Sequence, residues 1–277
     1  VADEERTMSV AGENPLGRSN GEDGTTVFTI GPTWRAVGFE MTTEQRADEI
    51  LAQAADQCTP VAGDMENGTF QYVDRSGAVA VFDVVAEKIA DIHQDFNASG
   101  AVDARWVEMA DRFALVDIVD AQDGVERSVG KACVAMRDGL GHEPGRAGAG
   151  KLGISALAQR VELYENVSSY AVSQTAKIFG AALDGPQRAP EDTLPTFIST
   201  GAVSVLQQQG AHAGAVLSGK ITAAEMHSNT LTGQNFWVLE VTTGFPVSVC
   251  VAESDIPGRP RPGMIVAGEF LILAAGK

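Results

Sequence analysis

Cysteine is scarce and badly spaced for a framework. Cys58, Cys133 and Cys250 are odd in number and far apart, which excludes a disulfide-stapled small domain and a zinc ribbon and predicts a reducing, cytoplasmic setting. Basic charge is also short. Twenty Lys and Arg stand against 37 Asp and Glu, and the resulting net charge of −17 repels phosphate backbones and anionic membranes, so nucleic acid is not an expected partner. No run approaches the roughly 18 apolar residues of a membrane span, and no basic segment followed by an apolar one opens the chain. A membrane partner is therefore not expected either. Aromatics make up 6% of the chain, and none of the four histidines forms an H-E-x-x-H pair, so the common zinc-hydrolase signature is missing.

What is abundant is apolar residues, 44% of 277, enough for a sizeable core. Their spacing is mostly every second residue, the period of a strand with one buried face. The pattern is clearest over residues 215–277, where Trp237, Leu239 and Val241, then Val247, Val249 and Val251, then residues 264–273 alternate. The expected fold is α+β, mostly antiparallel β with a few helices and a C-terminal OB-like or SH3-like small barrel. Phe236 and Val238 oppose Trp237 and Leu239, so that strand is apolar on both faces and must be covered by the rest of the chain or by another subunit.

The chain divides into four parts. Residues 1–26 hold six acids, two arginines and no aromatics and read as a disordered acidic tail; 27–145 read as a mixed α+β domain, 146–214 as a connecting segment and 215–277 as the barrel-like module. A strand is expected over residues 26–30. Thr42 and Gln45 have capping-box spacing, and Ala47, Ile50, Leu51, Ala54 and Cys58 form a stripe, predicting a helix from Thr42. Residues 69–74 and 78–85 read as a hairpin turning at Arg75-Ser76-Gly77, and 113–121 with 125–136 as a second, turning at Asp123-Gly124. Residues 87–96 fit a helix or an irregular strand, and residues 154–164 are equally ambiguous. Residues 138–153, glycine-rich with Pro144, read as a loop, and 185–195, with three prolines, as a linker.

Several fragments of chemical motifs occur, none complete. Gly145 to Leu152 nearly matches the phosphate-binding loop, but Leu152 stands where a magnesium-binding hydroxyl belongs and no buried strand precedes it. Asp117, Asp120, Asp123 and Glu126 recur every third residue, the wrong spacing for a calcium loop. Asp91, His93 and Asp95 share one face if their segment is a strand and suit a divalent metal; in a helix they point apart. Ser128 and Lys131 match S-x-x-K without its companion motifs, and Leu157 replaces the last glycine of a nucleophile elbow around Ser155. Residues 256–263 form a stiff Pro-rich stretch with Arg259 and Arg261. Phe236, Phe245 and Phe270 invite comparison with base-stacking barrels, although residues 215–277 carry four basic and five acidic side chains rather than a basic groove.

The succession Phe197-Ile-Ser-Thr-Gly201, Gly219-Lys-Ile221, Asn229-Thr-Leu-Thr-Gly233-Gln-Asn-Phe236 and Pro262 to Leu271 resembles the C-terminal half of uncharacterised proteins of high-GC, actinobacterial-type bacteria; 14 arginines against six lysines agree with that origin. The resemblance implies no activity, substrate or catalytic residue. With no catalytic, cofactor or metal residue identified, the expected role is non-catalytic binding or assembly with a protein partner or in a homo-oligomer. The alternative is a small-molecule-binding protein or enzyme with a dispersed site between the two halves.

Overall fold

The computed structural model describes residues 18–20, 26–28, 31–122, 125–139, 142–182 and 194–277. In chain order its elements are β1 (Arg18–Asn20), β2 (Thr26–Phe28), α1 (Pro32–Arg35), α2 (Glu44–Ala55), β3 (Thr59–Gly63), β4 (Asn67–Val73), β5 (Ala78–Val85), β6 (Lys88–Phe96), β7 (Val102–Glu108), β8 (Phe113–Gln122), β9 (Val125–Met136) and β10 (Ala147–Tyr164). They continue with α3 (Val167–Ala171), α4 (Gln174–Ala182), β11 (Thr196–Ile198), α5 (Thr200–Leu206), β12 (Gly214–Ser228), β13 (Asn235–Thr242), β14 (Pro246–Ala252) and β15 (Ile265–Gly276). The protein is α+β and rich in antiparallel sheet. No helix among the described residues is long and apolar enough to cross a membrane.

Local chemistry explains most elements. The expected helix forms with its cap one residue on: Thr43, in extended backbone, accepts from Arg46 N at 3.1 Å, while Ala47, Ile50 and Ala54 are buried. The hairpin β4–β5 turns at Gly77 with φ +90°, and β8 pairs antiparallel with β9; their Asp123-Gly124 turn lies outside the described residues, as does the expected linker over 185–193. Of the expected tail, Arg18–Asn20 pairs with Thr26–Phe28 and the remainder before Thr26 is outside the described residues.

One open alternative is decided and one reading needs correction. Of the two forms open to residues 87–96 the strand is the one that forms: Ala86 and Glu87 take φ of 51° and 62°, the left-handed pair of a tight hairpin turn, and Lys88–Phe96 pairs antiparallel with β5. Residues 138–153 are not all loop, because β10 begins at Ala147 and pairs with β7. Its glycines serve an aromatic contact: a Cβ on Gly148 would lie 2.4 Å from the Trp106 indole. Residues 154–164 resolve as strand, so alternation prevails there.

The sheets form two layers. One has four antiparallel strands in order β3-β4-β5-β6; the other has nine, in order β11-β12-β13-β14-β10-β15-β9-β8-β7, with further pairings of β12 to β15 and β10 to β7. Hydrogen-bonded neighbours therefore run round two circuits that share β10 and β15. Strand β13 is covered on both faces by its own chain. Trp237, Leu239 and Val241 join one core with Leu217, Val249 and Phe270, whereas Phe236 and Val238 join a second with Trp34, Phe39, Ile50 and Phe82.

Gly268 lies on β15 beside the irregularity in β10, and a Cβ there would sit 2.0 Å from the Arg160 carbonyl oxygen. Gly268→Ala is expected to lower stability by about 1–3 kcal/mol or more because backbone must move. Gly276→Ala, with nothing within 4 Å, is expected to stay within about 0.5 kcal/mol. Thermal unfolding followed by circular dichroism compares the two.

Candidate functional site

The register of β12 against β13 sets Ala223 opposite Glu240, Glu225 opposite Val238 and His227 opposite Phe236, so these side chains share one sheet face. The turn Arg75-Ser76-Gly77 and residues 96–99 cover that face and leave a cleft of about 320 Å³. It lies between the four-stranded sheet and the C-terminal strands.

His227 is held firmly at the floor. Its Nδ1 lies 2.7 Å from the Ser76 carbonyl oxygen, which can only accept, so Nδ1 carries a proton, and in the neutral ring the lone pair is on Nε2. The ring packs against Phe96 and Phe236, with centroids 6.5 and 5.7 Å away. Glu225 Oε2 is 3.6 Å from Nε2. On the neighbouring strand, Ser248 Oγ lies 3.0 and 3.2 Å from the two carboxylate oxygens of Glu240, and the Ser99 amide donates to Ser248 Oγ at 3.2 Å.

A buried carboxylate anchors the roof. Asp74 accepts from Ser76 N at 2.8 Å, Ser76 Oγ at 2.5 Å, Tyr72 Oη at 2.9 Å and Thr230 N at 3.0 Å, and also from Thr230 Oγ1. These bonds tie the β4–β5 turn to the segment that joins β12 to β13. Burial pushes the Asp74 carboxyl up, but the donors of Ser76, Thr230 and Tyr72 outweigh it and hold the group below its ordinary value. Gly77 allows the close approach, since a Cβ would meet the Phe96 ring at 2.8 Å.

The expected Asp91, His93 and Asp95 trio does share a face of β6, and the structure divides it. Asp83 and Asp91 are cross-strand partners, both buried, an arrangement that is unfavourable unless a cation intervenes. Arg112 supplies it: Nη2 lies 2.6 Å from Asp83 Oδ2 and 2.5 Å from Asp91 Oδ2, and Nη1 lies 2.5 Å from His93 Nδ1. Thr69 Oγ1 donates to the other Asp83 oxygen at 2.8 Å. Burial, reinforced by the positive charges of Arg112 and Arg137, holds His93 well below its ordinary value and hence neutral. Asp95 pairs instead with Arg137 Nε at 2.5 Å. Donor atoms of Asp83, Asp91 and His93 lie within 4.8 Å of one another, as metal ligands do, with the guanidinium of Arg112 among them.

The remaining sequence candidates scatter. Ala147–Tyr164 places most of the expected phosphate loop in a strand, where residues 147–152 pair with β7 rather than curl around a phosphate. Asp117 accepts from Ser128 Oγ and faces Lys131 across the ladder, Glu126 pairs with Arg105, and Asp123 is outside the described residues. Ser155 is buried opposite Ser248, and Arg261 pairs with Glu165 at 2.7 Å. Phe236, Phe245 and Phe270 are buried and offer no outward stacking platform. A larger trough of about 490 Å³ beside Trp106, Leu115 and Gly148 opens broadly to solvent; the cleft is the better site because fixed polar groups converge in it. Sequence reasoning missed His227, although Glu225-Met-His227 sets polar residues on one face of an otherwise apolar alternation. No family profile matches the chain, and neither a curated protein nor a solved structure matches it.

Arg112→Met leaves two buried carboxylates without their cation and is expected to cost about 3–5 kcal/mol in denaturant unfolding, with partial recovery on adding Asp83→Asn. Because the Asp74 carboxyl is lowered on folding, its contribution is fully present above the unfolded value, near 3.8, and is lost as pH falls through the lower folded value. Asp74→Asn is expected to reduce stability at neutral pH and to flatten the decline of melting temperature below about pH 4.

Proposed function

We propose that this chain is a small-molecule-binding protein whose site is the cleft between the four-stranded sheet and β12–β13. The observation that carries the reading is His227, a lining residue whose Nδ1–H is held by the Ser76 carbonyl so that Nε2 is the ring nitrogen beside Glu225, with Glu240 on the adjoining strand. Its volume lies at the small end of the range for ligand sites, about 300–1,000 Å³. The walls come from residues 75–99 and 223–240, far apart in sequence. Such a dispersed site leaves no linear motif. A fixed imidazole beside a carboxylate also has the makings of a proton-transfer pair should the ligand be a substrate.

The assembly reading rested on a strand apolar on both faces, and the chain itself supplies that cover. Small-molecule binding therefore accounts for more of the geometry. We further read the circuit β12-β13-β14-β10-β15 as a small barrel of OB-like size, in which β10 completes what the C-terminal strands begin.

A fragment screen by amide-detected NMR is the test. Binders are expected to shift Gly77, Ser99, Ala223 and Val238, and Ala223→Trp, which fills the cleft, is expected to abolish those shifts while the melting temperature stays within a few degrees. Hits that cluster around Trp106 instead, or that survive Ala223→Trp, would overturn the assignment.

A further inference from the structure

The polar groups of the cleft specify a charge for its ligand, an inference that rests on the binding site proposed above. The side of the cleft formed by β12 and β13 presents acceptors. Glu225 and Glu240 present carboxylates from adjacent strands on one face. His227 has committed its Nδ1 proton to Ser76, so in the neutral ring Nε2 is an acceptor for a ligand. The Ser248 hydroxyl accepts from the Ser99 amide and lies within hydrogen-bond distance of both Glu240 oxygens, so its proton is directed to that carboxylate. Donors are confined to the roof. Asn97 accepts from Arg137 Nη1 at 2.7 Å through its oxygen, which leaves its amide N–H groups as donors, and Arg75 stands at the exposed rim.

Two carboxylates against one rim guanidinium leave the cleft net negative, in a protein whose total charge is −17. The apolar lining is Phe96, Ala223 and Val238, and an aromatic ring favours a cation over an anion. The acceptors are also more widely set than metal ligands: among the described residues, the set with donor atoms within 4.8 Å of one another is Asp83, Asp91 and His93, not these. We propose that the cleft binds an organic cation, a primary ammonium on a short apolar body. Its N–H groups donate to Glu225, Glu240 and His227 Nε2, and its carbon chain lies against Phe96 and Val238. An anion would meet two carboxylates, and a neutral polyol would leave their charge uncompensated.

Four-carbon probes with cationic, neutral and anionic end groups test this on the full chain: putrescine, 1,4-butanediol and succinate, followed by calorimetry and by amide shifts at Gly77, Ala223 and Val238. Putrescine is expected to bind at the cleft, and Glu240→Gln to weaken it roughly tenfold or more through loss of a charge-assisted hydrogen bond. Glu225→Gln is expected to weaken it less, because that side chain is 76% exposed. Unchanged melting temperatures of the variants without ligand establish that the fold is intact. Butanediol or succinate binding in the cleft as tightly as putrescine overturns the cation and leaves the site standing. Putrescine binding that neither Gln variant weakens, or that shifts residues outside the cleft, is counter-ion attraction to an acidic protein and overturns the proposal. If neither these probes nor the fragment screen perturbs the cleft, both readings fall.

Discussion

The antiparallel pairing of β10 with β15 is the constraint on which the other layers depend. Its register runs from Leu152 opposite Gly276 to Tyr164 opposite Ile265, interrupted once between Ala158 and Arg160. Both strands carry neighbours on their remaining edges: β10 meets β7 and β14, and β15 meets β9 and β12. Each circuit of strands therefore contains the same two members, and edges that would otherwise be exposed are paired. Ala156, Leu157, Leu271 and Ile272 are fully buried along this seam, so the ladder's hydrogen bonds form away from water.

A consequence is that apolar faces on both sides of β13 find cover within one chain. The inner face meets the core of the nine-stranded sheet, and the outer face meets α1, α2 and the four-stranded sheet through Trp34, Ile50 and Phe82. Where that outer contact gives way toward Ala223 and Glu240, the two layers part and the cleft begins. The site is thus a product of how the sheets meet.

Charge is treated differently in the three polar regions. Around Asp83 and Asp91 the chain provides its own cation, and Arg112 satisfies both carboxylates in a buried setting where an unpaired charge would be costly. At Asp74 the compensation is neutral, from hydroxyl and amide donors that fasten the roof to Thr230. Glu225 and Glu240 instead line the cleft, with His227 on β12 beside them and the nearest guanidinium of the lining at the rim. That contrast separates the internally compensated carboxylates from those of the proposed site.

Much of the secondary structure was legible in sequence because it rests on local physics: the α2 stripe, the Gly77 turn and the alternation of β12 to β15 depend on neighbours within a few residues. Readings failed where a distant partner decided the outcome. Glycines over 148–153 look like loop until Trp106 lies across Gly148, and residues 87–96 fit helix and strand alike until β5 pairs with them. Composition, charge, the α+β class and the need to cover Phe236 to Val241 were determined by the sequence alone, since each follows from residue type and spacing. Which surface covered that strand, which cation joined Asp83 to Asp91, and the meeting of Ser76 with His227 were decided by tertiary structure, because each joins residues 21 or more positions apart and no local signal encodes such a contact.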